Sequence, residues 1–210
     1  WCEANKLYFT GHFLQEDKMG MGTRVNGAIM PHYRYMHIPG IDMLGEQNLE
    51  YITVKQCTSV ANQLGKPYVL TETYAGTGWD FTLEGQKWSG DWQYVLGVSR
   101  RCQHLALYTL RGCRKRDYPP SFNYNAVWWK YSHVVEDYFA RLGVALEEGK
   151  PIRKILLLHP CSTVWTRLGV NPYGNPYRGK ERDVPKLNEY GDEYNDLIRF
   201  LVEQHFDCDL

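Results

Sequence analysis

Short apolar runs alternate with longer amphipathic stretches over the first 150 residues, and this alternation limits the possible folds more than any other feature of the chain. Lys6–His12 (KLYFTGH) reads as a strand with a polar exit. Ile29–Met36 reads as a second strand, and His37-Ile38-Pro39-Gly40-Ile41-Asp42 as the continuation into its exit loop. Asn48–Leu64 places Ile52, Cys57, Val60, Ala61 and Leu64 at helical spacing and is closed by Gly65. Lys66–Thr71 is the third strand, with its proline near the start, where a missing donor is tolerated. Glu84–Arg101 reads as a helix with Trp88, Trp92, Val95, Leu96 and Ser99 on one face. His104–Leu110 reads as a fourth strand, and a long aromatic loop (RGCRKRDYPPSFNYNAVWW) follows. Tyr131–Leu146, with Val134, Val135, Tyr138, Phe139, Leu142 and Leu146 on its apolar side, is a helix ending around Gly149.

Strand, loop and helix in repetition predict βα units and a mostly parallel sheet. Polar residues recur at the strand exits (His12, Asp42, Glu72 and the loop after Leu110), and a closed (β/α) barrel builds its site from such ends. An open doubly wound sheet also gathers ligands there. No Gly-x-Gly-x-x-Gly turn or phosphate cradle is present, so a barrel is expected. After Gly149 a new apolar strand begins at Ile152–His159. A Gly/Pro/Asn/Tyr-rich loop follows, then a helix from about Asn188 aligning Tyr190, Tyr194, Leu197, Ile198, Leu201 and Val202. A further strand is due at Cys208-Asp209-Leu210. The expected division is residues 1–149 as one domain and 150–210 as the opening of a second α/β domain.

With 24 basic and 24 acidic residues, the chain has no cationic excess to follow a nucleic-acid backbone or a membrane surface. The longest unbroken apolar run, Ile155–Leu158, is far too short to span a bilayer. Sixteen Tyr, seven Trp and seven Phe exceed what a core needs, because Tyr and Trp polar atoms require partners. Platforms for a polar ligand with apolar faces are the sharper reading. The six cysteines show no metal-binding spacing, and two lie in apolar patterns as buried thiols. The chain opens on Trp1 and stops at DCDL without a visible signal peptide. It reads as an excised piece whose compartment (cytoplasm, periplasm or cell exterior) stays open.

Glu72, in LTETYAGTGWDFT, is the expected catalytic residue: a carboxylate behind a buried strand, surrounded by large aromatics. Glycosidases use two carboxylates, and a strand end holds one rigidly as nucleophile or general base. The bland alternative is a strand-end Glu paired with an Arg or capping a helix. His12, Asp42, Tyr74, Trp79, Asp80, Arg111, Tyr118 and Trp128 are the expected substrate contacts. Against these stand an Asx-turn for Asp42, a turn cap for Asp80, and plain loop packing for the aromatics. Glu16 and Asp17 read as a solvated rim, and His104, near a strand entry, as a structural histidine. The seven histidines lack transition-metal spacing, and no cofactor is expected. Calcium on dispersed oxygen ligands stays open.

The runs TGHFLQED, HYRYMHIPGID, LTETYAGTGWDFTLEGQKWSGDWQYVLGV and LYTLRGCRKRDYPPSFNYNAVWW resemble large bacterial glycoside hydrolases of family 106, the α-L-rhamnosidases, and more distantly family 42. The resemblance spans about Trp1–Gly149. It implies the C-terminal half of a (β/α)8 barrel, with Glu72 at the end of the seventh strand, followed by the start of a flavodoxin-like domain. The first four strands are absent. By the family 42 pattern the partner acid lies upstream of Trp1; otherwise Glu16, Asp42 or Asp80 serves. Half a barrel exposes strand edges, so the missing remainder of a larger polypeptide, or a second copy, is the expected partner. The function so implied is hydrolysis of O-glycosidic bonds, releasing a terminal sugar. The alternatives are a non-catalytic carbohydrate-binding or scaffold protein and a metal-dependent phosphoester hydrolase; absent metal and phosphate motifs weigh against the last.

Overall fold

The computed structural model describes residues 1–168 and 183–210. The architecture alternates strands and helices around a four-stranded parallel sheet in the order β1-β2-β3-β4. The strands are β1 (Thr10–Gly11), β2 (Ile38–Met43), β3 (Leu70–Thr73) and β4 (Arg100–Gln103). Helices α1 (Met19–Asn26) and α2 (Met30–Tyr33) join β1 to β2. Helix α3 (Tyr51–Gln63) joins β2 to β3, α4 (Leu83–Val95) joins β3 to β4, and α5 (His133–Glu147) follows β4. A separate two-stranded parallel sheet pairs β5 (Ile155–Leu156) with β6 (Cys208–Asp209), flanked by α6 (Cys161–Leu168) and α7 (Asp183–Glu203). Part of the Gly/Pro/Asn/Tyr-rich loop expected after His159 is helical, as α6, and the rest lies outside the described residues. Among the described residues no helix is long and apolar enough to cross a membrane, and all six cysteines are unbridged.

Three strand expectations are corrected. Ile29–Met36 is not a strand: Pro31 sits in the first turn of α2, where its fixed φ and missing N–H suit a helix start. The strand is Ile38–Met43, whose Pro-Gly pair resembles a turn. Pro39 stands opposite Gly11 of the short β1, so its lost donor affects one edge position. Gly40 is required, because a Cβ there would lie 2.7 Å from the Gly11 carbonyl oxygen. The third strand runs Leu70–Thr73 rather than Lys66–Thr71, which puts Glu72 inside it. The fourth strand is Arg100–Gln103, not His104–Leu110. Its charge hides it from hydropathy: Arg100 pairs with Glu147 and Arg101 with Glu136, both on α5. His104–Leu110 runs instead as a loop bonded to residues 121–123. The Phe122 amide donates to the Leu105 carbonyl at 2.9 Å and the Leu107 amide to Ser121 Oγ at 3.0 Å.

Helix α3 is the central element, with every residue from Tyr51 to Ala61 buried. It ends where Gly65, at φ +62°, lets the Lys66 amide return to the Ala61 carbonyl at 2.8 Å. Helix α4 begins at Thr82, whose Oγ1 accepts from the Gly85 amide at 3.0 Å. Its expected inner face is rotated. Trp88 and Val95 are exposed, while Gln86, Ser89, Gly90, Gln93 and Tyr94 are buried. Gly90 sets this rotation, since a Cβ there would lie 2.3 Å from Phe139 of α5.

One apolar core runs from the sheet to the second unit, joining Ile41, Met43, Ile52, Val54 and Phe139 to Val164, Ile198, Cys208 and Leu210. Helices α1 and α7 cross through glycines: a Cβ on Gly20 would meet Leu187 at 2.8 Å, and one on Gly191 would meet Met19 at 2.6 Å. A polar network docks β6 on α3. Lys55, fully buried, donates to Asp207 at 2.7 Å. Arg153 reaches Asp207 and Asp209 at 2.7 Å each, and Asn62 donates to Asp209 at 2.6 Å. Burial pushes the Asp207 carboxyl up, but Lys55 and Arg153 hold it below the ordinary carboxylate range.

Removing Asp207 strands a buried ammonium, which is more damaging than removing both charges. Asp207→Ala is expected to lower stability to urea by about 2 kcal/mol, a value discounted because Asp207 is partly exposed. The double variant Asp207→Ala, Lys55→Met should recover part of that loss. Equal losses in the two variants would show that the ion pair is not what docks β6.

Candidate active site at the strand exits

Parallel pairing places Asp42 opposite Glu72, and Glu72 opposite Cys102, in one row across β2, β3 and β4. Their neighbours Ile41, Met43, Thr71 and Thr73 alternate onto the other face and are buried. Asp42 and Glu72 are half-buried and Cys102 is exposed. His12, one residue past β1, completes the group. Its Nε2 lies 3.1 Å from Glu72 Oε2 and its Nδ1 4.0 Å from Asp42 Oδ2. The Nδ1 also lies 3.4 Å from the Phe13 carbonyl oxygen.

Burial alone would lower the His12 pKa. The Phe13 carbonyl and the Asp42, Glu16 and Glu72 carboxylates outweigh it, so His12 is raised toward the imidazolium form. Asp42 is also raised, chiefly by burial. Its Oδ1 is buried without a hydrogen-bond partner among the described residues, and so is Nδ1 of His104, which interacts electrostatically with Asp42.

Donor atoms of His12, Asp42 and Glu72 all lie within 4.8 Å of one another, close enough to hold a metal ion. The set does not match calcium well, which favours oxygen ligands throughout, whereas one donor here is an imidazole. A direct hydrogen bond joins His12 to Glu72, and a longer ion-pair contact of 4.0 Å joins His12 to Asp42, so the three form a triad centred on His12.

Glu16 is not part of a solvated rim. It is buried, its Oε1 accepting from the Phe13 amide at 3.0 Å and from Tyr33 Oη at 2.9 Å, and its Oε2 from the Asp42 amide at 2.9 Å. It therefore ties the His12 loop and α2 to the strand that carries Asp42. Burial pushes its pKa up to about 7 against these three bonds.

The aromatic residues divide into two sets. Tyr74 and Trp128 face the core rather than a ligand. The Tyr74 ring packs between Phe81 and Phe122 at 5.5 and 5.8 Å; its hydroxyl donates to the Gln86 carbonyl at 2.7 Å and accepts from Arg101 at 3.0 Å. Those bonds fix a residue at φ +76°, where the chain turns sharply out of β3. Trp128 packs on Phe122 at 5.3 Å. Trp79 and Tyr118 remain accessible. Trp79 Nε1 donates to the Lys115 carbonyl at 2.8 Å, and the Tyr118 ring stands edge-on to His104 at 6.1 Å. Asp80 and Arg111 are exposed, and among the described residues no hydrogen bond or ion pair joins either to His12, Asp42 or Glu72. His104 follows β4 directly and so lies at a strand exit. Placing that strand too late in the sequence put the residue at the entry instead.

A cleft of about 660 Å³ opens elsewhere, at the opposite ends of β3 and β4, lined by Lys66, Tyr68, Val98, Glu147 and Arg153. On its wall Glu147 pairs with Arg100 and Arg153 with Asp207, and Lys66 donates to the Arg34 carbonyl.

No protein-family model matches the chain, and no curated protein matches it. Among solved structures the fold is similar to a rhamnosidase from Novosphingobium sp. PP1Y, with a TM-score of 0.58 and 19% identity. The match covers 74% of this chain and 15% of that one. The likeness is one of fold alone.

The Glu16 carboxyl gives a test of this geometry. Its folded pKa of about 7 exceeds the unfolded value, so its stabilising effect is complete below about pH 4.5 and is lost as pH rises through 7. The loss amounts to about 3 kcal/mol. In Glu16→Gln the titration disappears, so the stability difference from wild type should be greatest near pH 5 and shrink by pH 8. Urea unfolding across that range reads it. A difference independent of pH would mean that the three donors keep Glu16 ionised throughout.

Proposed function

We propose that the chain belongs to a glycoside hydrolase that cleaves a terminal O-glycosidic bond, with Glu72 as the attacking carboxylate and Asp42 as the acid. The carrying observation is the convergence of His12, Asp42 and Glu72 at neighbouring strand exits. His12 orients Glu72 through a charge-assisted hydrogen bond. Asp42, raised by burial and with one oxygen unpartnered, is suited to carry a proton to the leaving oxygen. Their nearest oxygens are within 4.8 Å, which fits the roughly 5 Å spacing of retaining enzymes better than the wider gap that admits a water. Glu72 then bonds to the anomeric carbon as the glycosidic bond breaks and Asp42 gives up its proton. Water, deprotonated by Asp42, next displaces Glu72 and frees the sugar. Glu16 cannot serve as the partner acid, because three donors enclose it away from the open face.

We propose further that residues 1–149 are half of a (β/α)8 barrel and 150–210 the start of a flavodoxin-like domain. Supporting the first is a parallel sheet whose order follows the sequence, with one face buried and the row of Asp42, Glu72 and Cys102 left open. A doubly wound sheet would be covered on both faces. The separate β5–β6 sheet supports the second. The chain spans 15% of the length of the rhamnosidase it resembles, so a larger polypeptide supplying the remaining strands forms part of this proposal.

Glu72→Gln, made in the longest polypeptide carrying this chain, should lower kcat on aryl glycosides at least about 10²-fold while substrate binding and Tm persist. Proton NMR of the first-formed sugar should show retained anomeric configuration. Near-parental turnover would remove Glu72 from the mechanism, and an inverted product would remove Asp42 as its partner.

A further inference from the structure

Residues Arg111–Arg116 (RGCRKR) place four cations in six positions of a chain whose net charge is zero. All are exposed, three of them on a 3-10 turn, Gly112–Arg116. Among the described residues none of Arg111, Arg114, Lys115 and Arg116 forms an ion pair with a carboxylate, and the acid next to them in sequence is Asp117. The turn is fastened to the candidate site. Trp79 Nε1 donates to the Lys115 carbonyl at 2.8 Å, and the Gly78 amide to the Pro119 carbonyl at 3.1 Å; both donors lie in the loop just past Glu72. Tyr118 closes the connection against His104 at the exit of β4.

We infer that this turn recognises an anionic sugar unit, bearing a carboxylate or a sulfate, next to the sugar held at Glu72. The inference rests on the glycosidase reading and specifies its substrate class. Two unlike charge environments at one rim carry it. At the triad, the His12 imidazolium is already engaged by Glu72 and Asp42 carries the proton, so no free cation is left there for an anion and the sugar seated there is neutral. One loop away, unpaired guanidinium and ammonium groups attract an anion. A nucleic acid, charged at every unit, would place phosphates against Glu72 as well as on the turn. It would also need a longer cationic track than one six-residue stretch. A glycan with alternating neutral and charged units satisfies both environments.

The test measures binding to the intact polypeptide by calorimetry, so it reads the inference even if no substrate is hydrolysed. The probes are a uronate-containing oligosaccharide, a sulfated one, the carboxyl-reduced neutral counterpart of the first, and single-stranded RNA of similar charge. At least one acidic oligosaccharide should bind about tenfold tighter than the neutral one at low salt, and which one does identifies the anion. The triple variant Arg114→Gln, Lys115→Gln, Arg116→Gln should erase that preference, leaving neutral-glycan affinity within about twofold and Tm unchanged. Arg114→Glu alone carries the same test if the triple variant does not fold. Unchanged acidic-glycan affinity in the variant, or tighter binding of RNA than of either acidic glycan, would overturn the inference. Loss of turnover in Glu72→Gln with the acidic preference intact supports both readings. Normal turnover in that variant with the preference intact overturns the Glu72 mechanism alone.

Discussion

A single buried carboxylate, Glu16, connects the parts on which the site depends. Its three donors come from the loop after β1, from α2 and from the backbone of β2 at Asp42. Those segments carry His12 and Asp42, so moving Glu16 would shift both against Glu72. Parallel pairing alone fixes Asp42 beside Glu72 but says nothing of His12, because β1 contributes only two residues to the sheet. A short strand has little ladder to hold its exit loop, and the hydrogen bond from the Phe13 amide to the buried Glu16 supplies what the ladder lacks. The Glu16 carbonyl also accepts from Gln56 of α3 at 3.1 Å, so the anchor reaches the most buried helix.

That helix links the site to the rest of the molecule. On one side α3 covers β2; on the other it holds β6 through Lys55, Asn62 and Ser59. Gln56 meets His159, whose pKa burial lowers to about 4, so its imidazole is neutral near pH 7 and joins the two units as an uncharged link. Polar residues inside a helix buried on all sides are costly unless partnered, and most of these partners lie on the second unit. The two sheets are separate, yet α3 makes the ordering of one contribute to the ordering of the other.

What was legible in the sequence was the alternation, the helix at Tyr51–Gln63 and the presence of a strand leading to Glu72, because hydrophobic spacing and glycine stops report them directly. The errors share one physical origin. Strand β4 is Arg-Arg-Cys-Gln, stabilised by ion pairs to Glu136 and Glu147 that are distant in sequence, so a hydropathy reading moved it to the next apolar run. That shift put His104 at the wrong end of the strand. Strand β2 hides behind a Pro-Gly pair because the reason for Gly40, its contact with Gly11, is tertiary. Glu16 looked exposed because nothing local announces Tyr33 and two backbone amides as its partners. Tyr74 and Trp128 looked like platforms because composition counts aromatic rings without telling which side of a loop they face.

The aromatic excess has an account that differs from simple sugar stacking. Tyr74, Phe81, Phe122 and Trp128 form a small second core beneath the loops after β3 and β4. Such loops carry few ladder bonds, and a cluster of rings supplies the rigidity that a binding surface needs. The exposed turn at Gly112–Arg116 can therefore be polar throughout, since its position is set from below by Trp79 and Tyr118 rather than by burial of its own side chains. A further consequence lies at the other edge of the sheet. Beside β1, Leu7, Tyr8 and Tyr35 are exposed, and among the described residues β1 pairs with β2 alone. Under the barrel proposal this edge is where the next parallel strand pairs and where these side chains become covered. The same closure would wall the open row of Asp42, Glu72 and Cys102, lowering its dielectric and strengthening each charge interaction among His12, Asp42 and Glu72.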